Sequence, residues 1–295
     1  MGLYNNRRKI YEALDTTMGR PVLAVVASLY RSAIYHHPCF VWYHDGEWIH
    51  RQPDGYLVER QIMLRPISAF NQMNSDYYLY TYRLRPGDLV IDCGASTGWE
   101  TLLFSRLVGP TGRVISVEAH PIAYRCLTEM CRRNNLANVT PLECAVGENG
   151  GTATITDLPN HLSNTIVSGD GEGLTVNVRT LDDITADLRR PVDLIKINVE
   201  GAELAALRGA EETLRSTRHL AVSCHDFIAR RGFSGLTCTK AEVHALLEER
   251  GFHVTERSDD PREWVADFLY ADRPLRKARD QEVETAEIEQ PLAVR

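Results

Sequence analysis

The chain has 295 residues, of which 43% are hydrophobic and 25% charged, and its formal net charge is −7. These values are typical of a globular protein with one or two domains and a sizeable core. They disfavour nucleic acid as a partner, because a protein that binds phosphates needs a basic surface.

Residues 1–83 are predicted to form an N-terminal extension that contacts the substrate or a second subunit. The extension begins with a helix, whose apolar run Val22 to Tyr30 favours a homodimer. This run is too short for stable membrane insertion, since a bilayer-spanning helix needs about 20 residues. Asp45-Gly46 predicts a tight hairpin turn. Three short strands are expected here, at 40–44, 47–50 and 56–59.

Residues 84–272 alternate short apolar runs with helical segments, which predicts a mostly parallel sheet covered by helices on both faces. The expected fold is therefore α/β and Rossmann-like, with seven strands at 89–93, 114–118, 139–145, 194–199, 220–225, 251–256 and 264–270. Helices are expected at 99–107, 122–134, 202–214 and 240–249. A β insertion at 150–180 follows the third strand, and the charged tail 273–295 is expected to be disordered.

The most informative motif is DCGASTG at residues 92–98, where the first of these strands ends. Its glycines allow a tight turn and a close approach of the backbone to a ligand. The motif departs from the dinucleotide pattern GxGxxG, because Asp92 replaces the first glycine and would repel a diphosphate. Asp92 suits a cofactor with a cationic amino-acid end. Together with Glu118 at the end of the next strand, it predicts a site for S-adenosylmethionine.

The predicted cofactor residues lie at the carboxyl ends of the strands, where open α/β sheets bind their ligands. The glycine loop is expected to surround the methionine part, and Glu118 to accept hydrogen bonds from the ribose hydroxyls. Ala145 and Val146 would line the adenine, and Asn198 would close the pocket. The complete predicted set is Asp92, Gly94, Ala95, Ser96, Gly98, Glu118, Ala145, Val146 and Asn198.

Six segments match one known family in order: LVIDCGASTGWETLLFSRLVG, VISVEAHP, NNLANVTPLECAVGENGG, VRTLDD, VDLIKINVEGAELAALRGAE and LAVSCHD. Through them the chain resembles the FkbM-like family of class I S-adenosylmethionine-dependent methyltransferases. The resemblance implies methylation of a hydroxyl oxygen. The chain departs from the family at Asn198, where an aspartate is usual. It also departs at Ser223-Cys224-His225-Asp226, where the histidine of an ExH-like element matches but the acidic residue is displaced.

An aliphatic hydroxyl is a weak nucleophile, so a proton acceptor or a metal ion is expected beside it. In the preferred interpretation His225 accepts the proton, because imidazole titrates near neutral pH. In the alternative, Glu200 and Asp226 bind Mg²⁺, which would acidify the hydroxyl. Glu200 and His161, the latter in the insertion, are further candidate bases, and Glu203 is interpreted as a solvated carboxylate.

The acceptor class is expected from what the family commonly methylates, and the location from the cysteine content. Four aromatic residues of the extension offer flat faces for a hydroxyl of a sugar, oligosaccharide or glycan: Trp42, Tyr43, Trp48 and Tyr56. A hydroxyl of a polyketide or other secondary metabolite is the alternative. A noncatalytic binding module is less favoured, since it would need no proton acceptor. Seven cysteines without a CxxC pair indicate free thiols in the cytoplasm.

Overall fold

The computed structural model describes residues 13–157, 173–232 and 238–273. The predicted site residue His161 and the tail from residue 274 onward lie outside these ranges.

From residue 20 onward, the N-terminal extension contains two helices and a small antiparallel sheet. Its elements are α1 (Arg20–Tyr35), β1 (Phe40–His44), β2 (Glu47–Gln52), β3 (Gly55–Glu59) and α2 (Ile67–Tyr78). Asp45 and Gly46 both have positive φ, at 50° and 90°, as the predicted hairpin turn requires. Helix α2 was not predicted, because one of its buried positions is the polar residue Asn74, which weakens the apolar periodicity.

The rest of the described chain alternates strands and helices. The strands are β4 (Leu89–Cys93), β5 (Arg113–Glu118), β6 (Val139–Glu143), β7 (Ala145–Val146), β8 (Gly151–Ile155), β9 (Leu174–Arg179), β10 (Val192–Ile197), β11 (Thr217–Ser223), β12 (His253–Glu256) and β13 (Phe268–Asp272). The helices are α3 (Trp99–Val108), α4 (Pro121–Arg133), α5 (Leu181–Thr185), α6 (Glu203–Arg208), α7 (Glu211–Ser216), α8 (Asp226–Arg230), α9 (Lys240–Glu249) and α10 (Glu263–Ala266).

The central sheet confirms the predicted fold class. It has seven strands in the order β12–β13–β11–β10–β4–β5–β6, and β13 alone runs antiparallel to its neighbours. Strand β5, which follows β4 in the chain, lies on one side of β4 in the sheet, and β10 lies on the other side. The strand order therefore reverses between β4 and β10, and a ligand site is expected beyond the carboxyl ends of these two strands.

Every residue of β4 and β10 is buried, as expected for central parallel strands covered on both faces. The buried residues of these two strands include three charged ones, Asp92, Asp193 and Lys196. Among the residues placed by the structure, no helix is both long and apolar enough to cross a membrane.

Several predicted elements have shifted bounds in the structure, and three of them differ most. The strand predicted over 139–145 stops at Glu143, since Ala145–Val146 pairs with β9 in a separate three-stranded sheet. The helix predicted over 202–214 is divided at Gly209, where a Cβ atom would overlap the carbonyl oxygen of Gly147. The strand predicted over 264–270 starts at Phe268, because the residues before it form α10.

Candidate active site

The loop after β4 makes the sharp bend that its glycines predict. Gly94 and Gly98 have φ values of 75° and 96°, a region that favours glycine. A Cβ atom on Gly94 would overlap the carbonyl oxygen of Asn198. A Cβ atom on Gly98 would overlap the side chain of Met130 on α4. Gly94 is therefore required by the backbone beside it, and Gly98 by its positive φ.

Asp92 is fully buried and forms an ion pair inside the sheet. Its Oδ1 lies 2.9 Å from Lys196 Nζ, and its Oδ2 accepts a hydrogen bond of 2.7 Å from Thr101 Oγ1. Lys196 also donates to the carbonyl oxygen of Gly94 at 2.8 Å. The predicted role of Asp92 was direct contact with the cationic end of the cofactor. In the structure both carboxylate oxygens face protein donors instead, and Asp92 supports the loop from beneath.

Lys196 was missed in the sequence, although a lone lysine within the apolar run VDLIKI requires a buried partner. Burial by itself would lower the pKa of Lys196. The carboxylates of Asp92 and Glu100 outweigh burial, so that the pKa is raised and the ammonium keeps its charge.

Glu118 stands at the end of β5 and holds the loop from the other side. Its Oε2 accepts from the backbone N–H of Ser96 at 2.7 Å, and its Oε1 accepts from that of His120 at 2.8 Å. Burial raises the pKa of Glu118, although these hydrogen bonds oppose the shift. A carboxylate has about four acceptor positions, so two remain for further donors. Ser96 Oγ is buried and has no hydrogen-bond partner within the described ranges.

The predicted adenine and pocket-closing residues lie around the same loop. The side chain of Ala145 packs with Ile155 and Val176, whereas that of Val146 belongs to the main core. Their side chains are therefore used in packing. The backbone N–H of Cys144, just before them, donates to Glu118 O at 3.1 Å. Asn198 follows β10, and its backbone N–H donates to Cys93 O at 3.1 Å, next to the glycine loop.

His225 lies between two carboxylates after β11. Its Nε2 is 3.2 Å from Glu200 Oε1, and its Nδ1 is 2.7 Å from Glu203 Oε1. Burial by itself would lower the pKa of His225, but the hydrogen bonds and charges of Glu200 and Glu203 raise it to about 10. The array therefore favours the imidazolium, and a ring that holds both protons cannot accept another. The role of His225 as general base stays a prediction, and a positioning role is its alternative.

The two carboxylates of this array differ in exposure. The side chain of Glu203 is fully buried and also accepts from Gly201 N at 2.9 Å, so its interpretation as a solvated carboxylate was wrong. The side chain of Glu200 is 20% exposed. Glu200 has a φ of 49° and Gly201 one of 97°, a left-handed pair of residues that turns the chain sharply. Glu200 is thus the member of the array that is open to a ligand.

Asp226, predicted as a metal ligand, instead binds the backbone at the start of helix α9. Its Oδ1 accepts from the backbone N–H groups of Thr239 at 2.7 Å and Lys240 at 3.2 Å, where α9 begins. Glu200 is engaged with His225. In the part of the chain that is placed, no three His, Cys, Asp or Glu side chains are grouped as metal ligands. The donor set around Glu200 and Asp226 therefore does not fit a Mg²⁺ site.

The N-terminal extension packs directly on the glycine loop. Glu59, at the end of β3, accepts from Thr97 Oγ1 at 2.8 Å and from the indole N–H of Trp99. Burial raises the pKa of Glu59 to about 8. The ring of Phe70 on α2 lies 4.0 Å from that of Trp99, centroid to centroid. These contacts hold the extension against the loop.

The four aromatic residues considered as a sugar platform are packed into the extension. Trp48 is fully buried, with the ring of Tyr43 centred 5.2 Å away. Trp42 meets Tyr56 edge to face at 6.5 Å, and the guanidinium of Arg133 lies 5.5 Å from the ring centre of Trp42. The four residues are therefore divided between two packed clusters, with Trp42 and Tyr56 in one and Tyr43 and Trp48 in the other.

Comparison with known proteins places this site in a family. Residues 92–254, more than half of the chain, match the family model described as the methyltransferase FkbM domain. The chain is 26% identical over 234 residues to the methyltransferase sdnD of Sordaria araneosa, covering 67% of this chain and 85% of that protein. It is also 26% identical over 252 residues to the 31-O-demethyl-FK506 methyltransferase FkbM of Streptomyces tacrolimicus, covering 71% and 90%.

A solved structure, the methyltransferase FkbM of Methylobacillus flagellatus KT, matches with a TM-score of 0.45 and 23% identity. That match covers 65% of this chain and 45% of the solved chain, so this chain spans less than half of that protein. The family model, which spans the glycine loop, Glu118 and the array around His225, shows that the chain belongs to the FkbM family of S-adenosylmethionine-dependent methyltransferases.

Proposed function

We propose that the protein transfers a methyl group from S-adenosylmethionine to a hydroxyl oxygen of a small natural product, such as a polyketide. The name of the Streptomyces tacrolimicus relative specifies 31-O-demethyl-FK506 as its substrate, which supports an oxygen acceptor. The alternative acceptor is a hydroxyl of a sugar, oligosaccharide or glycan. The four aromatic residues do not support it, because they are packed against one another in pairs.

In this proposal the cofactor, which supplies an electrophilic methyl group, is held by the loop after β4 and by Glu118. The free acceptor positions of Glu118 suit the paired hydroxyls of a ribose. Ser96 Oγ and the loop backbone suit the polar end of the methionine part. Asp92 and Lys196 act indirectly, since their ion pair fixes the carbonyl of Gly94 and thereby the shape of the loop.

Glu200 is proposed as the proton acceptor. The observation that carries this assignment is the array of Glu200, His225 and Glu203 after the neighbouring strands β10 and β11. The hydroxyl becomes strongly acidic as its oxygen gains the methyl group, so a carboxylate is a sufficient acceptor. His225 and Glu203 are positioning residues, because Glu203 orients the imidazolium and the imidazolium orients Glu200.

The test is methyl transfer from isotopically labelled cofactor to a panel of acceptors, read by mass spectrometry. Polyketide and sugar hydroxyls are the positive candidates, and tRNA is included as an acceptor that is expected to stay unlabelled. With an accepted substrate, Glu200→Gln is expected to lower kcat by about 10²- to 10⁴-fold. Its affinity for S-adenosylmethionine, measured by calorimetry, should be unchanged.

Glu148→Gln is the matched control, because Glu148 is an exposed carboxylate whose ion pair with Arg208 has an N–O distance of 3.8 Å. Full activity of Glu200→Gln would remove the assignment. Cofactor binding without transfer to any acceptor would favour a noncatalytic module. Activity that disappears after chelation and returns with Mg²⁺ would favour the metal-assisted alternative with Glu200 and Asp226.

We also infer a cytoplasmic location. All seven cysteines are free thiols and six of them are buried, which suits a reducing compartment. Fractionation of cells that make the protein tests this, and recovery from an extracellular or membrane fraction would contradict it.

A further inference from the structure

Helix α1 exposes an apolar face that nothing in the described structure covers. Six large apolar residues on it are between 47% and 66% exposed, and we name them the α1 patch: Val22, Val25, Val26, Leu29, Tyr30 and Ile34. They recur at intervals of three and four residues along the helix, the spacing of a helix face that packs against another helix. Met18, just before the helix, is 87% exposed and extends the patch.

The inner side of α1 packs on the protein, and this fixes the direction of the patch. Leu23, Ala24 and Ala27 share a packed cluster with Val41 and Trp48, and polar residues of the same side form hydrogen bonds. Ser28 Oγ and Ser32 Oγ accept hydrogen bonds of 2.8 Å from the backbone N–H groups of Val41 and Cys39. Val41 belongs to β1, the edge strand of the small sheet, whose outer N–H groups need acceptors.

Arg31, on the same side of α1, is fully buried and donates to the carbonyl oxygen of Arg65 at 3.0 Å. Rotation of α1 to bury its apolar side chains would break these three contacts. The patch is therefore held outward by the hydrogen bonds on the opposite side of the helix.

We propose that the α1 patch is the interface between two copies of this chain, related by a two-fold axis. The six residues carry no charge, so the patch can meet its own copy without placing like charges together. The other exposed large apolar residues that the structure places lie outside α1: Leu14, Phe40, Leu64, Tyr80, Leu107 and Trp264.

The size of the patch fits this partner. With Met18 it comprises seven large apolar residues that are between 47% and 87% exposed. Each partner buries about 800 Å² in a standard protein interface, which a surface of several such side chains can supply. A membrane surface is the less suitable occupant, because helices that lie in lipid headgroups carry Trp, Phe or Leu on the apolar face beside many Lys and Arg. Four of the six patch residues are instead β-branched: Val22, Val25, Val26 and Ile34.

The experiment uses the full chain and two charge variants. The acidic variant is Val26→Glu with Leu29→Glu, and the basic variant is Val26→Lys with Leu29→Lys. Sedimentation velocity over a range of concentrations should show a dimer for the unmodified chain. Each variant alone should be monomeric, with a dissociation constant raised at least about 100-fold. An equimolar mixture of the two should form a heterodimer, because opposite charges then face each other. Leu107→Glu, at a 37% exposed residue of α3, is the matched control and should remain dimeric.

Circular dichroism establishes that each variant is folded, so a lost dimer is not confused with a lost fold. A monomeric unmodified chain would overturn the proposal, as would a dimer that survives in both variants. A parallel flotation assay uses vesicles of phosphatidylcholine with phosphatidylserine. Binding of the monomeric chain to these vesicles, removed by Leu29→Glu, would instead assign the patch to a membrane surface.

Discussion

The ion pair between Lys196 and Asp92 is the strongest stability prediction that the structure offers. Both side chains are fully buried, and Lys196 also donates to Gly94 O at 2.8 Å. Lys196→Met keeps the length of the side chain and removes its charge, which leaves Asp92 buried without a counter-ion. Removal of one partner of a buried pair costs about 3 to 5 kcal/mol of unfolding free energy. The lost hydrogen bond to the loop adds about 1 kcal/mol.

The assay is urea unfolding followed by circular dichroism, in which this loss should lower the midpoint by roughly 1 to 2 M. Lys240→Met is the matched control, because Lys240 also contacts one carboxylate, Glu256 at 2.8 Å, and one carbonyl, Ala266 at 2.9 Å. That pair is partly exposed, so its loss should cost about 1 kcal/mol or less.

The double variant Asp92→Asn with Lys196→Met should recover more than about 1 kcal/mol relative to Lys196→Met, since no lone charge is then buried. Equal midpoint shifts for Lys196→Met and Lys240→Met would refute the reasoning, because burial would then carry no extra penalty.

Three further predictions concern the glycine loop and its neighbours. Gly94→Ala should abolish cofactor binding, because its Cβ would overlap Asn198 O. Gly109 also has positive φ but has open space around it, so calorimetry should show that the control variant Gly109→Ala binds the cofactor normally. Glu118→Ala should weaken S-adenosylmethionine binding at least about 10-fold, by loss of charge-assisted hydrogen bonds; unchanged calorimetric affinity would remove this assignment. The raised pKa of His225, about 10, predicts stability that is fully present below its unfolded pKa near 6.5 and lost as pH rises through 10. Urea midpoints of the unmodified chain and of His225→Gln should therefore converge between these pH values, and parallel profiles would contradict the charged array.

The sequence was a good guide wherever local pattern decides structure. The glycine loop, Glu118 at a strand end and the hairpin at Asp45-Gly46 each follow from backbone conformation or strand periodicity. Helix α2 was not predicted. The surface on which it packs determines that the polar residue Asn74 is buried, and the apolar periodicity of the helix does not reveal this.

By itself, the sequence determined the α/β class, the family and the positions of the acidic residues at the strand ends, because these depend on order and spacing along the chain. Only the tertiary structure decided which residue each acid contacts. Asp92 faces Lys196, 104 residues away along the chain, and Glu203 faces His225. Such pairings arise only when segments that are distant along the chain come together in the fold, so local sequence pattern does not reveal them.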